Sequence, residues 1–195
     1  EASSGLSPYL HFGNLSTHQV FEAVIEAERW SPERLAEHSS GSRSGWWGMS
    51  APAEAFLDQL VTWRELGYRS ARYVRGNDTY AALPAWARET LSVHAADPRE
   101  YVYSLAQLEG AETHDDIWNR AQQQLRDEGI IHNYLRMLWG KKILEWTRNP
   151  EEAHDLMFEL NDKYDLDGRD TNSVAVIHWG LGLSERPRRP ERPMF

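Results

Sequence analysis

The stretch Arg136-Met137-Leu138-Trp139-Gly140-Lys141-Lys142-Ile143-Leu144-Glu145-Trp146 (RMLWGKKILEW) decides how this chain is read. It shows no period-2 alternation and contains no proline. Gly129 lies before it and Pro150 after it, so it is the middle of a helix over about 130–148. His132, Arg136 and Trp139 are spaced i, i+4, i+7 and share one face. Trp146 returns to about the same face seven residues further on, and Leu135, Leu138, Ile143 and Leu144 supply the remaining packing. An arginine on a largely apolar helix needs an anionic partner, because an unpaired buried charge is very costly. Asp167, in Asp167-Gly168-Arg169-Asp170, is the candidate. Read alone, the run is a packed core beside an ion pair.

Working outward, the other helix signals agree on an all-α fold, a compact multi-helix domain over residues 1–195. Ser16 with Gln19 forms a capping-box pattern ahead of Val20, Phe21, Val24 and Ile25. Asp97-Pro98 with Glu100, and Asn149-Pro150 with Glu152, each place proline where a first helical residue has no N–H to satisfy. Thr113 or Asp115 starts a helix that ends near Gly129. Residues 38–50, rich in Gly and Ser, form the clearest loop, and its Trp46-Trp47 pair folds back as a hydrophobic plug. Residues 184–195, with three prolines, form an extended tail.

Composition limits the function. The 195 residues suit one domain with a sizeable core. The chain begins with Glu1, and it is expected to be a piece of a longer protein. No apolar run approaches the roughly 20 residues of a membrane span. With no cysteine there is no disulfide, thiolate metal site or iron–sulfur cluster, and no metal site is expected. There is no G-x-S-x-G elbow either, so no covalent nucleophile is legible. A net charge of −9 argues against a general polyanion binder. Basic residues are local: Arg64, Arg69, Arg72 and Arg75 lie among Trp63, Tyr68 and Tyr73, and Arg186, Arg188, Arg189 and Arg192 form a second cluster. Such runs suit a solvated surface or a nucleic-acid rim.

The chain resembles the C-terminal helical flavin-binding domain of the photolyase/cryptochrome family, and class II cyclobutane pyrimidine dimer photolyases in particular. The resemblance rests on Ser4–Gly13 (SGLSPYLHFG), Leu108-Glu109 with Ala111 and Thr113-His114-Asp115, Trp118-Asn119, Arg136–Trp146 and Leu160–Asp170. It implies FAD as cofactor. Ser3, Ser4, Leu6 and Ser7 would hold its pyrophosphate, with Arg64 and Asn119 also in the cofactor site. From the residues alone, the Ser-rich start suits either a phosphate cradle or a capped loop. Arg64 suits either a partly buried pair or a surface salt bridge. The resemblance further implies that Arg136 and Asp167 pair against the flavin ring, with Asn161 beside its reactive nitrogen. Without it, Asn161-Asp162 is a helix C-terminus before an Asp-Gly turn.

By the same resemblance, Trp139, then Trp118, then Trp146 form an electron relay, which Tyr103 extends. Gln59, Trp63, Asn133 and Trp179 would face the lesion. Gln59 and Trp63 are i, i+4 and so share a face, distinct from that of Leu57, Leu60, Val61 and Arg64. The chain departs from the pattern in two places. Gln59 stands where dimer photolyases carry a glutamate, and an amide cannot supply an acidic proton. His132-Asn133 resembles the pair of class I enzymes. The expected activity is light-driven dimer repair in damaged DNA, with a cryptochrome-like sensor or (6-4) photoproduct repair as alternatives. The expected protein is a monomer, cytoplasmic or with DNA in the nucleoid or nucleus, and an N-terminal antenna domain belongs to its full-length form.

Overall fold

A computed structural model describes residues 3–37 and 44–183. Among the described residues the secondary structure is helical and contains no strand. The chain divides into two compact units, Glu1–Tyr73 and Val74–Phe195.

The first unit contains α1 (Ser7–His11), α2 (Thr17–Glu28), α3 (Ala51–Leu57) and α4 (Arg64–Tyr73). Ser16 and Gln19 make the expected capping box at the start of α2: the Ser16 hydroxyl accepts from Gln19 N at 3.1 Å, and Gln19 Oε1 accepts from Ser16 N at 2.9 Å. The expected tryptophan plug is present in part, because Trp47 is half-buried whereas Trp46 is exposed. Trp47 packs against Phe21 and Trp30, with ring centroids 5.3 and 5.9 Å apart, and the Trp30 indole N–H donates to the Trp47 carbonyl. Gly48 allows the loop to close. Its φ is +65°, and a Cβ there would run into the Arg34 carbonyl.

Between α3 and α4 the helix does not break but widens. Asp58–Trp63 is a π-helical segment, in which the Arg64 N–H donates to the Gln59 carbonyl. It joins α3 to α4 in one helical run, and such segments recur at functional sites. Gln59 is exposed on it and Trp63 half-buried, whereas Leu57, Leu60 and Arg64 are buried. The two faces expected from the sequence are therefore present.

The second unit contains α5 (Ala85–Val93), α6 (Leu105–Glu109), α7 (Asp116–Glu128), α8 (Asn133–Glu145), α9 (Pro150–Tyr164) and α10 (Thr171–Gly180). Helix α8 is central and packs on α7, α9 and α10. Apolar residues lie all round it, as a surrounded helix requires. The core is built from Leu108, Trp118, Leu125, Trp139, Ile143, Trp146, Met157 and Leu160, all at most 2 % exposed. Asp115 caps α7 by accepting from Ile117 N and Trp118 N, and Gly129 ends it in the left-handed conformation. Asn149 caps α9, with Pro150 as its first residue.

Three expectations need correction. The helix of the RMLWGKKILEW run is shorter than 130–148, spanning Asn133–Glu145 with His132 as N-cap and Trp146 as C-cap. Leu138 is 38 % exposed rather than packed. Asp97-Pro98 starts no helix. The Asp97 carboxylate is taken by His94 Nδ1 at 2.8 Å, and the next helix, α6, begins with a capping box of Ser104 and Gln107. The 184–195 tail, with its arginines, lies outside the described residues, as do residues 38–43.

Candidate functional site

The largest buried side chains of the second unit form a line. Trp139 on α8 and Trp118 on α7 lie parallel, with centroids 6.5 Å apart and planes within 1°. Trp118 meets Trp146 edge-on at 5.5 Å, and Trp146 meets Tyr103 edge-on at 5.5 Å. The order Trp139, Trp118, Trp146, Tyr103 is the one expected from the sequence. Hydrogen bonds hold it in register. The Trp118 indole N–H donates to the Trp139 carbonyl at 3.0 Å, the Trp139 indole N–H to Gln122 Oε1 at 2.8 Å, and the Tyr103 backbone N–H to the Trp146 carbonyl at 3.1 Å. The three tryptophans are essentially inaccessible to water.

One turn before Trp139 on the same helix stands Arg136. Its guanidinium reaches two carboxylates: Asp165 Oδ2 at 2.5 Å and Asp167 Oδ1 at 3.7 Å. Asp167 is therefore a neighbour, as expected, but the closer partner is Asp165, which sequence reasoning missed. The turn after α9 brings both acids to Arg136. It depends on Gly168, where a Cβ would lie 2.9 Å from the carbonyls of Asn161 and Asp165. Further ties are the Ser173 hydroxyl donating to the Asp167 carbonyl and the Arg169 N–H donating to Asp162 Oδ1.

This cluster is electrostatically tense. Burial pushes the Asp165 carboxyl up to about 7, and its hydrogen bond with Asp167 adds to the rise, while Arg136 opposes it. The Arg136–Asp165 approach is close in distance but misaligned as a hydrogen bond. Asp165 Oδ2 is therefore met by Arg136 Nη2 as an ion pair only, and Arg136 Nε is separately buried without a hydrogen-bond partner. One donor of the Arg136 guanidinium is therefore left without an acceptor at this corner of α8. Asn161, on α9, is 2 % exposed and its amide donates to Asp162 Oδ1 at 3.2 Å.

In the first unit, Arg64 is buried and donates to the Tyr68 hydroxyl at 2.9 Å and to the Leu10 carbonyl at 3.5 Å. That resolves its two sequence readings in favour of a held, buried guanidinium, and it ties Arg64 to α1. Ser3, Ser4 and Ser7 are exposed ahead of and within α1, and the Ser4 hydroxyl accepts from the Leu6 N–H at 3.4 Å. Gly5 takes φ +65° with nothing within 4 Å of where a Cβ would point, so this backbone is open to an anion. The Trp63 indole N–H donates to Asp58 Oδ2 at 2.9 Å.

The remaining candidates separate. Asn133 is exposed at the first turn of α8, and Trp179 is half-buried near the end of α10. Asn119 has its carbonyl oxygen filled by the N–H and hydroxyl of Thr113, and its amide donates to the Thr113 carbonyl. Its visible work is to hold the turn before α7. Two further groups were not anticipated. Gln122 was detectable in principle, being i+4 from Trp118 on one helical face. His114 Nδ1 lies 2.7 Å from the Tyr103 hydroxyl, and its sequence neighbourhood gave no sign of that contact.

Comparison with known proteins gives one consistent answer. No family model matches the chain. It is 42 % identical over 183 residues to a deoxyribodipyrimidine photo-lyase of Methanothermobacter thermautotrophicus, covering 94 % of this chain and 36 % of that protein. Against the deoxyribodipyrimidine photo-lyase of Oryza sativa subsp. japonica the identity is 40 % over 195 residues, covering 100 % of this chain and 35 % of the relative. The protein of the same name from Potorous tridactylus is 38 % identical over 181 residues, covering 93 % of this chain and 31 % of its own length. The chain thus spans about a third of the length of the relatives it matches. With an all-α fold that sets the aromatic line beside Arg136, Asp165 and Asp167, the chain belongs to the photolyase/cryptochrome family.

Proposed function

We propose that this chain is the flavin-binding helical part of a light-driven DNA-repair enzyme that acts on cyclobutane pyrimidine dimers. The observation that carries the proposal is the line Trp139–Trp118–Trp146, buried in ring contact and starting one helical turn from Arg136. Core aromatics alone need no such chain ending at a half-buried tyrosine beside an exposed histidine. The relatives' printed name, deoxyribodipyrimidine photo-lyase, supports the same reading.

FAD, when bound, supplies the light absorption and the electron exchange on which both repair and its own activation depend. The protein's part is positional and electrostatic. Arg136 and the Asp165–Asp167 pair offer one cation and at most two anions to the ring, with a donor still unused at Arg136 Nε. Arg64 fixes the backbone of α1, so that Ser3, Ser4, Leu6 and Ser7 can meet the pyrophosphate. Asn161 offers a neutral amide rather than a charge. Trp139, Trp118 and Trp146 pass electrons inward from the surface. Gln59, Trp63, Asn133 and Trp179 contact the lesion, which flips from the duplex at low cost because damage has already weakened its stacking. The partner is therefore damaged DNA, met as a monomer in the compartment that holds it. An antenna domain belongs to the longer protein. Among the described residues no helix is long and apolar enough to cross a membrane.

Gln59 favours a second reading, a cryptochrome-like light sensor with the same cofactor or an enzyme for the (6-4) photoproduct, since the acid expected at the lesion is an amide here. One experiment separates them. The FAD-loaded full-length protein is illuminated with blue light in the presence of oligonucleotides carrying either lesion. Loss of dimers supports the proposal, loss of (6-4) photoproducts alone moves the substrate, and photoreduction without loss of either lesion leaves the sensor.

A further inference from the structure

The aromatic line does not stop at Trp146, and its polar contacts change character there. The Trp118 and Trp139 indoles donate to an amide carbonyl and an amide side chain, neither of which takes up a proton. The Trp146 indole N–H is buried with no hydrogen-bond partner at all. Lys142 stands over its ring at 5.4 Å, with Glu145 as the lysine's partner at 2.8 Å. A tryptophan that has lost an electron is a cation. At Trp146 that cation could neither shed its proton nor escape a nearby ammonium, so it would remain a strong one-electron oxidant.

Tyr103 is different. Its hydroxyl lies 2.7 Å from His114 Nδ1 and also accepts the His114 backbone N–H at 3.0 Å. In the tautomer with the imidazole proton on Nε2, the phenol donates its proton to Nδ1 while its oxygen accepts the His114 backbone N–H. His114 is exposed, so a proton taken up there can pass to water. Tyr101 stacks on the His114 ring at 3.8 Å, is 39 % exposed, and has its phenol hydrogen-bonded to Glu100.

We propose that His114 is the proton acceptor that lets Tyr103 serve as the outlet of the relay, with Tyr101 stacked behind it at the surface. The inference rests on the relay reading above. The step balances as follows. Oxidised Trp146 takes one electron from Tyr103. The Tyr103 O–H bond breaks, and its proton forms an N–H bond at His114 Nδ1. The products are a neutral Trp146, a neutral tyrosyl radical and a His114 imidazolium. An oxidised phenol is a very strong acid, so electron loss without a base is uphill; a base already hydrogen-bonded removes that barrier. A positioned base of this kind is worth about a hundredfold in rate, at the lower end of the usual range.

The test uses the FAD-loaded full-length protein in flash photolysis, following the tryptophan and tyrosyl absorption bands. Expected are a tyrosyl signal that Tyr103→Phe removes, a slower rise in D₂O, and a rise about a hundredfold slower in His114→Gln. Added imidazole should restore part of that rate, which a merely structural histidine would not allow. A His114→Gln rate and isotope effect equal to wild type overturn the inference. If wild type shows no oxidised tryptophan after the flash, the relay reading itself fails. The Tyr103–His114 bond is then decided in the dark by ¹⁵N NMR of the imidazole. An unprotonated Nδ1 that becomes mixed in Tyr103→Phe supports the dyad, and a protonated Nδ1 in wild type refutes it.

Discussion

Gln122→Met removes the acceptor of the Trp139 indole and little else. Gln122 is 0 % exposed and Trp139 2 %, so no water takes the place of a bond that is 2.8 Å long. A buried donor left without a partner costs about 1–3 kcal/mol. Methionine is close to glutamine in volume, which keeps the packing cost of the exchange below about 1.5 kcal/mol. One effect opposes these. Gln122 Nε2 is itself buried without a partner, and the substitution removes that group too. The net expectation is a loss of about 1–2 kcal/mol. Urea unfolding of the FAD-free protein, followed by tryptophan fluorescence, measures it. Trp139→Phe alone and the double variant complete a cycle, whose coupling should be about 1 kcal/mol. A Gln122→Met protein within about 0.3 kcal/mol of wild type, together with a coupling of zero, would mean that Gln122 does not hold the indole. The register of the first relay member would then have no support in this contact.

Other substitutions probe the remaining parts. Trp139→Phe should abolish light-driven flavin reduction while repair by chemically reduced enzyme continues, and persistent photoreduction would remove the relay assignment. Gln59→Glu should raise dimer repair if the missing acid limits it; an unchanged rate on a dimer-containing oligonucleotide would dismiss that argument. Asp165 gives a pH dependence of unusual sign. Its folded value is raised from 3.8 to about 7, so the folded chain keeps a proton the unfolded chain has lost. That contribution favours folding below about pH 4 and fades as pH rises to about 7, by at most about 4 kcal/mol, and Asp165→Asn should flatten this slope in pH-dependent urea melts. His178 works the other way. Burial above all, and then His154, lowers it from 6.5 to about 4, so stability should fall as pH drops through that window and His178→Gln should lessen the fall.

Much of this was legible because it is local. The Ser16–Gln19 capping box, the Asn149-Pro150 start and the Gly129 stop depend on residues within a few positions of one another, and all are found where the sequence puts them. The tryptophan order was legible through resemblance, and one-turn spacing places Arg136 beside Trp139. What was missed depends on which side chain wins a competition in space. Asp97-Pro98 has the form of a helix start, but His94 takes the Asp97 carboxylate first. Asp167 was the obvious partner of Arg136, but the Gly168 turn presents Asp165 more closely. The π-helical segment at Asp58–Trp63 leaves no sequence mark, because one wider turn changes hydrogen bonding and not composition. The bonds of the Asn119 amide to Thr113 are a further contact the sequence did not reveal.

Buried polar atoms without partners are uncommon in folded proteins, and each asks for a reason. Among the described residues they are Arg136 Nε, Asp165 Oδ2, Gln122 Nε2, Trp146 Nε1 and His94 Nε2. All but His94 lie on α8 or touch it. Asp165 Oδ2 still has the Arg136 guanidinium 2.5 Å away, but each of the others costs about 1–3 kcal/mol, so placing several on or against the helix at the centre of the second unit is a poor choice for stability. It is a good choice for moving charge. A spare donor at Arg136 can meet a ligand's acceptor, and an acid at Asp165 titrating near neutrality can change its charge with little cost. An indole at Trp146 with no base cannot relax after losing an electron, so it must hand the vacancy on. Among the described residues the imidazole in ring contact with Trp146 is that of His114, and it sits against Tyr103 where the line reaches water. Helix α8 therefore leaves polar atoms without partners at Arg136 and Trp146, beside the proposed path of electrons and protons, while its tryptophans stay as fully packed as Ile143 and Leu144.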